Sequence, residues 1–99
     1  MYLQQGDVIL EKVNDVEGVK IKHNGVLMEG EVTGHAHRIV DIAGVEFYNK
    51  DGLLYLKTNK PIDVVHEEHG TITVDPGIYK IRKVREYDHF DEEAREVRD

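Results

Sequence analysis

The chain has 99 residues, enough for one domain with a real core, and it lies near the size at which small β proteins gain stability from a partner subunit, so a homodimer is expected. Its 20 acidic residues outnumber its 13 basic ones for a net charge of −7, which disfavours nucleic acid as a partner, and the absence of cysteine excludes disulfides, thiolate metal sites and thiol nucleophiles. No apolar run approaches the ~20 residues needed to span a bilayer, and MYLQQGDVIL lacks the basic segment and cleavage site of a signal peptide, so a cytoplasmic protein without a membrane partner is expected.

Taken in chain order, alternation and turn dipeptides dominate. A strand over Asp7 to Val13 precedes the loop NDVEG. In GVKIKHNGVLMEGEV, Asn24-Gly25 is the preferred two-residue hairpin turn, which puts Val19, Ile21 and His23 on one face with Val26 and Met28 of the partner strand. His23 then ends an apolar face and reads as a packed residue rather than a ligand. HAHRIVDI is the next strand. A second hairpin turns at Asp51-Gly52 and places Val45 and Phe47 on a face with Leu54 and Leu56. The short run IDVV follows, and the turn Asp75-Pro76-Gly77 joins TITV to IYKIRKV. In that last strand Lys80 and Arg82 take one face while Lys83 and Arg85 take the other, the pattern of a solvated edge.

About eight closely spaced strands predict an all-β fold, a small antiparallel barrel or jelly-roll over residues 1–87. Residues 88–99, DHFDEEAREVRD, predict a short C-terminal helix with Asp88 or Asp91 as cap and a stripe of Phe90, Ala94 and Val97. His89 sits at its entrance as a surface residue.

Four of the six histidines form two tight pairs, His35 with His37 in EVTGHAHRIV and His66 with His69 in VVHEEHGTI. Neutral imidazole suits zinc, copper, iron and nickel, and two such motifs supply three or four ligands to one ion. Residues i and i+2 of a strand point to the same side, so His35 and His37 can share a metal without bending the backbone. His66 and His69 are three apart, which requires a turn or strand break at Glu67 and Glu68. On the first strand Thr33, Ile39 and Asp41 share the histidines' parity, whereas Ala36, Val40 and Ile42 have the opposite parity and read as core. The histidine face is thus the more polar one, facing a solvent-accessible interior that suits a small-molecule ligand. Gly34 could mark a bulge that re-aims the pair.

Gly30, His35 and His37 in GEVTGHAHRI resemble a compressed first motif of the cupin superfamily, a glycine followed by His-X-His on a jelly-roll strand. The turn in DPGIY resembles the second cupin motif. The likeness implies a cupin-like, metal-binding β-barrel, with Asp41 where a cupin has its glutamate and with His66 and His69 ahead of the Pro-Gly turn rather than after it. GEVTGHAH with a later HEEH is also similar to short uncharacterised bacterial and phage proteins. The zincin motif is absent, because His66-Glu67-Glu68-His69 brings its histidines one position too close, and no phosphate-binding loop or nucleophile elbow occurs.

Two functions follow as expectations. The first is a divalent transition-metal site, zinc foremost with copper, iron, nickel or manganese as alternatives, using His35, His37, His66 and at most His69. An open position on the ion would serve hydrolysis, with Glu67 or Glu68 as base, or oxidation. The second is a non-catalytic accessory or assembly module whose histidines lie on a surface or interface.

Overall fold

The computed structural model describes residues 1–29 and 34–84. The expected helix over 88–99 lies outside them, as do Gly30, Thr33, Arg85 and His89. The described residues form ten strands: β1 Tyr2–Gln5, β2 Val8–Val13, β3 Val19–Ile21, β4 Val26–Glu29, β5 Ala36–Ile39, β6 Glu46–Lys50, β7 Leu53–Thr58, β8 Ile62–Val65, β9 Ile72–Val74 and β10 Gly77–Lys83. No helix among them is long and apolar enough to cross a membrane.

The fold is all-β, as expected, but it is not a closed barrel. All strand pairs are antiparallel and fall into two open sheets, a six-stranded one in the order β1-β2-β10-β7-β6-β3 and a four-stranded one in the order β4-β5-β8-β9. Cross-strand rows build the core. Ile21, Phe47, Leu56 and Tyr79 are register partners in succession across β3, β6, β7 and β10, and Leu3, Leu10 and Ile81 form a parallel row across β1, β2 and β10. From the smaller sheet Leu27, Ile39, Ile62, Val64 and Val74 join the same apolar cluster. Burying one such side chain is worth roughly 1.5–3 kcal/mol, which holds the two sheets together without a closed ring of strands.

The Asp51-Gly52 hairpin forms as expected. Lys50 pairs with Leu53 across a two-residue turn, with φ of 51° at Asp51 and 82° at Gly52, the positive pair a type I′ turn requires. The Asn24-Gly25 hairpin does not form. β3 pairs with β6 and β4 with β5, so this dipeptide carries the chain from one sheet to the other. The reason is local. Gly25 N–H donates to His23 Nδ1 at 3.0 Å, Val26 N–H donates to Asn24 Oδ1 at 3.0 Å, and Gly25 O accepts from Ile39 N–H at 2.9 Å. Those bonds satisfy the turn without a ladder between its own flanking strands. Val19 is consequently 69 % exposed instead of packed, while His23 stacks on Phe47 with ring centroids 4.5 Å apart.

Two further expectations are corrected. β10 is an inner strand bordered by β2 and β7, not an edge; its charged face is partnered within the sheet, with Arg82 Nε 3.2 Å from Glu11 Oε1. On β5 the histidine parity is the buried one, since His37 and Ile39 are buried whereas Val40 is 65 % exposed. The register irregularity beside this strand lies on β4, between Val26 and Met28, rather than at Gly34.

Candidate metal centre

Three pieces of chain meet around the histidines. β5 carries His37, with His35 just before its first residue. The chain between β8 and β9 carries His66 and His69, and β8 ends at Val65 before Glu67 and Glu68, so the strand break required by the spacing is present. The third piece, unforeseen from the sequence, is the β1–β2 turn with Gln5, Gly6 and Asp7. β1 pairs with β2 so that Gln5 faces Val8 across the two-residue turn Gly6-Asp7.

The rings of His37, His66 and His69 contact one another, and His35 joins them through its contact with His66. Ring centroids lie 4.3 Å apart for His37 and His66, 4.8 Å for His66 and His69, 5.7 Å for His35 and His66, and 5.9 Å for His37 and His69. His35, His66 and Glu67 each offer one ligand atom such that all three lie within 4.8 Å of one another. Four imidazoles flanked by carboxylates form a nitrogen and oxygen donor set suited to zinc, copper, iron or nickel.

His37 is the buried member, at 1 % exposure, and Gln5 holds it there. Gln5 is itself fully buried and spends both amide protons on main-chain carbonyls, Nε2 donating to Val64 O at 2.9 Å and to Gly70 O at 2.8 Å. Its Oε1 therefore faces His37 Nδ1, 2.9 Å away. On the other side of the ring, His37 Nε2 lies 3.4 Å from Asp7 Oδ1. Burial lowers the His37 pKa below the ordinary 6.5, the neighbouring His66 lowers it further, and Asp7 opposes both.

Gly6 presses against His69. A methyl group at Gly6 would lie 2.6 Å from His69 Nε2, and φ of 57° there already favours glycine. His66 Nδ1 accepts the Glu68 N–H at 3.0 Å, so the neutral ring carries its proton on Nε2 in this conformation. Binding a metal through that ring requires giving up one of these two arrangements.

Glu67 is a clamp more than a base. Oε1 accepts Ala36 N–H at 2.9 Å and Oε2 accepts from Arg38 Nη1 at 2.9 Å. Those main-chain amides, Ala36 first, and then the guanidinium pull its pKa from 4.5 to about 2. A general base works best with a pKa near the operating pH, so Glu67 is poorly matched to that role. Glu68 is more exposed, with Oε1 3.6 Å from His35 Nδ1. A groove of about 440 Å³ lined by residues including Lys20, Glu46, Lys57 and Asn59 shares no residue with the histidine cluster.

Fold and site together define a two-sheet, all-β protein with a histidine cluster gathered from a strand, an inter-strand loop and a hairpin turn. The chain belongs to the family described as a domain of unknown function (DUF8820), which matches residues 4–84 and so takes in every residue of this cluster. No curated protein and no solved structure matches it.

Proposed function

We propose that this protein binds one divalent transition metal, zinc foremost with copper, iron, nickel or manganese as alternatives, through the cluster of His35, His37, His66 and His69. The observation that carries the reading is the approach of these four rings to within 4.3–5.9 Å in the contacts given above, although the two pairs are separated by about thirty residues of chain. Supporting it is the Gln5 bond to His37, because a metal-bound histidine almost always donates its other ring N–H to a fixed acceptor. The likeness to cupins, from Gly30, His35, His37 and the Asp75-Pro76-Gly77 turn, belongs to this proposal, as do a cytoplasmic location and a homodimer. Any hydrolytic or oxidative reaction would use an open position on the ion, with Glu68, whose Oε1 lies 3.6 Å from His35 Nδ1, as the nearby carboxylate.

A second reading, a non-catalytic accessory module, is favoured by the hydrogen bonds that already engage His66 Nδ1 and both Glu67 oxygens. Elemental analysis of untagged protein decides between them. The metal reading expects about one equivalent of a single transition metal in the wild type, lost in a His35→Ala/His66→Ala double variant. Metal-free protein that also takes up no added zinc, copper, iron, nickel or manganese refutes it and supports the accessory module.

A further inference from the structure

We infer that Asp7, on the β1–β2 turn, is an oxygen ligand of the same ion, paired with Nε2 of His37, and that Gln5 is the positioning residue that makes Nε2 the ligating atom. This rests on the metal-binding reading above and names the innermost part of its ligand set.

The argument begins with Gln5. Both of its amide protons are committed to Val64 O and Gly70 O, carbonyls that can only accept, so the side chain cannot turn over without losing both bonds. What it presents to the imidazole is an acceptor, Oε1, and the His37 Nδ1 facing it at 2.9 Å must carry a proton. In the neutral ring the lone pair is then on Nε2. Opposite that lone pair, 3.4 Å away, stands a carboxylate oxygen of Asp7, which also can only accept. Two acceptors facing each other beside a side chain that is 1 % exposed form a place that a cation would fill, and in the metal-free protein with Nδ1 alone protonated that place is open to a metal ion.

The spacing suits a metal. Two ligand atoms held about 2.0–2.2 Å from one zinc ion at a tetrahedral angle are ~3.3–3.5 Å apart. The His37 to Asp7 separation of 3.4 Å falls in that range and is long for a charged hydrogen bond, which is normally about 2.7–2.9 Å. The His66 and His69 rings are neighbours of this pair, with centroids 4.3 Å and 5.9 Å from that of His37. The site would then combine imidazole nitrogen with one carboxylate oxygen, a set that catalytic zinc and non-haem iron both accept.

The test uses untagged, metal-free protein and Co²⁺ as a visible-absorbing probe, with Zn²⁺ for competition. Asp7→Asn keeps the turn chemistry and removes the charge at a side chain that is 46 % exposed, so it should fold as the wild type does. The expected result is Co²⁺ binding weakened at least ~10-fold in Asp7→Asn with an unchanged melting temperature. In parallel, nitrogen-15 spectra of the wild-type histidines should show His37 protonated on Nδ1 alone before metal addition, with the Nε2 resonance moving when Zn²⁺ is added. Wild-type binding of Co²⁺ that Asp7→Asn retains in full, or a His37 carrying protons on both nitrogens and indifferent to Zn²⁺, overturns this inference while leaving a site at His35, His66 and Glu67 intact. A wild type that binds neither ion overturns the metal reading itself and this inference with it.

Discussion

Gly6→Ala joins the backbone and the site in one measurement. At φ of 57° an L-residue costs about 1–2 kcal/mol relative to glycine. The added methyl also meets His69 at 2.6 Å from Nε2, 2.9 Å from Cδ2 and 3.0 Å from Cε1, whereas carbon contacts are optimal near 3.5–4.0 Å, so the ring must retreat by roughly 1 Å. Overpacking of this kind adds about 1 kcal/mol or more, for an expected total of about 2–3 kcal/mol. Gly52→Ala is the control, because Gly52 has φ of 82° but nothing within 4 Å of the added carbon, leaving the backbone cost alone. For a domain of this size 1 kcal/mol moves the melting temperature by roughly 4–8 °C, so Gly6→Ala should melt several degrees below Gly52→Ala in thermal unfolding followed by circular dichroism. It should also lose Co²⁺ affinity, while Gly52→Ala keeps it. Equal melting temperatures with equal Co²⁺ binding would refute the claim that the β1–β2 turn holds the His69 ring in place.

Gln5→Leu should destabilise the metal-free protein by about 2–4 kcal/mol in urea, since it strands the Val64 and Gly70 carbonyls and the His37 N–H together; a loss below ~1 kcal/mol would mean water replaces the amide. Because the Glu67 pKa falls from 4.5 to about 2 on folding, its contribution to stability is present above pH 4.5 and is lost as the pH drops from there toward 2; Glu67→Gln should flatten the urea midpoint across that window. His37 has the opposite linkage. Its folded pKa lies below 6.5, so the unfolded chain takes up the proton first and metal-free protein should weaken as the pH falls below about 6.5, a slope that His37→Gln should reduce. Gly25→Ala should cost at least about 2 kcal/mol, from φ of 91° and a 2.6 Å clash with Ile42 Cγ2, and normal stability there would count against the sheet crossing at Asn24-Gly25.

How much of this was legible in the sequence varies from one segment to the next. Asp51-Gly52 between alternating runs gave its hairpin and register correctly, with Phe47 and Leu56 buried as partners on the face that the alternation marks, although Tyr55 on the opposite face is buried too. Asn24-Gly25 carries the same signal but closes through His23 and Asn24 side chains, so a local preference was satisfied while the pairing went elsewhere. The four histidines were visible from spacing alone. Their supporting residues were not, because YLQQ shows no strong apolar alternation and Gln5 looks like a surface residue until its carbonyl partners, distant in sequence, are known. The Gly6-Asp7 dipeptide was the available clue, as a turn pair following four residues able to form a strand. The reversed burial of β5 has a related cause: His37 counts as polar in any pattern, yet its polar atoms face Gln5 and Asp7 rather than water.

The Gln5 amide bridges 59 residues to Val64 and 65 residues to Gly70, and β2 is held on its inner side by β10 near the far end of the described chain. Contacts of such sequence separation form late in folding and slowly, since the loop entropy must be met before they return any stability. The isolated β1–β2 and β6–β7 hairpins can form early, but neither contains a complete ligand set. A chain still emerging from the ribosome would expose His35 and His37 before β8, β9 and β10 exist, and would therefore lack the geometry to retain an ion. If the cluster binds a metal as proposed, loading would report that folding is finished, and an added metal should slow unfolding far more than it speeds refolding.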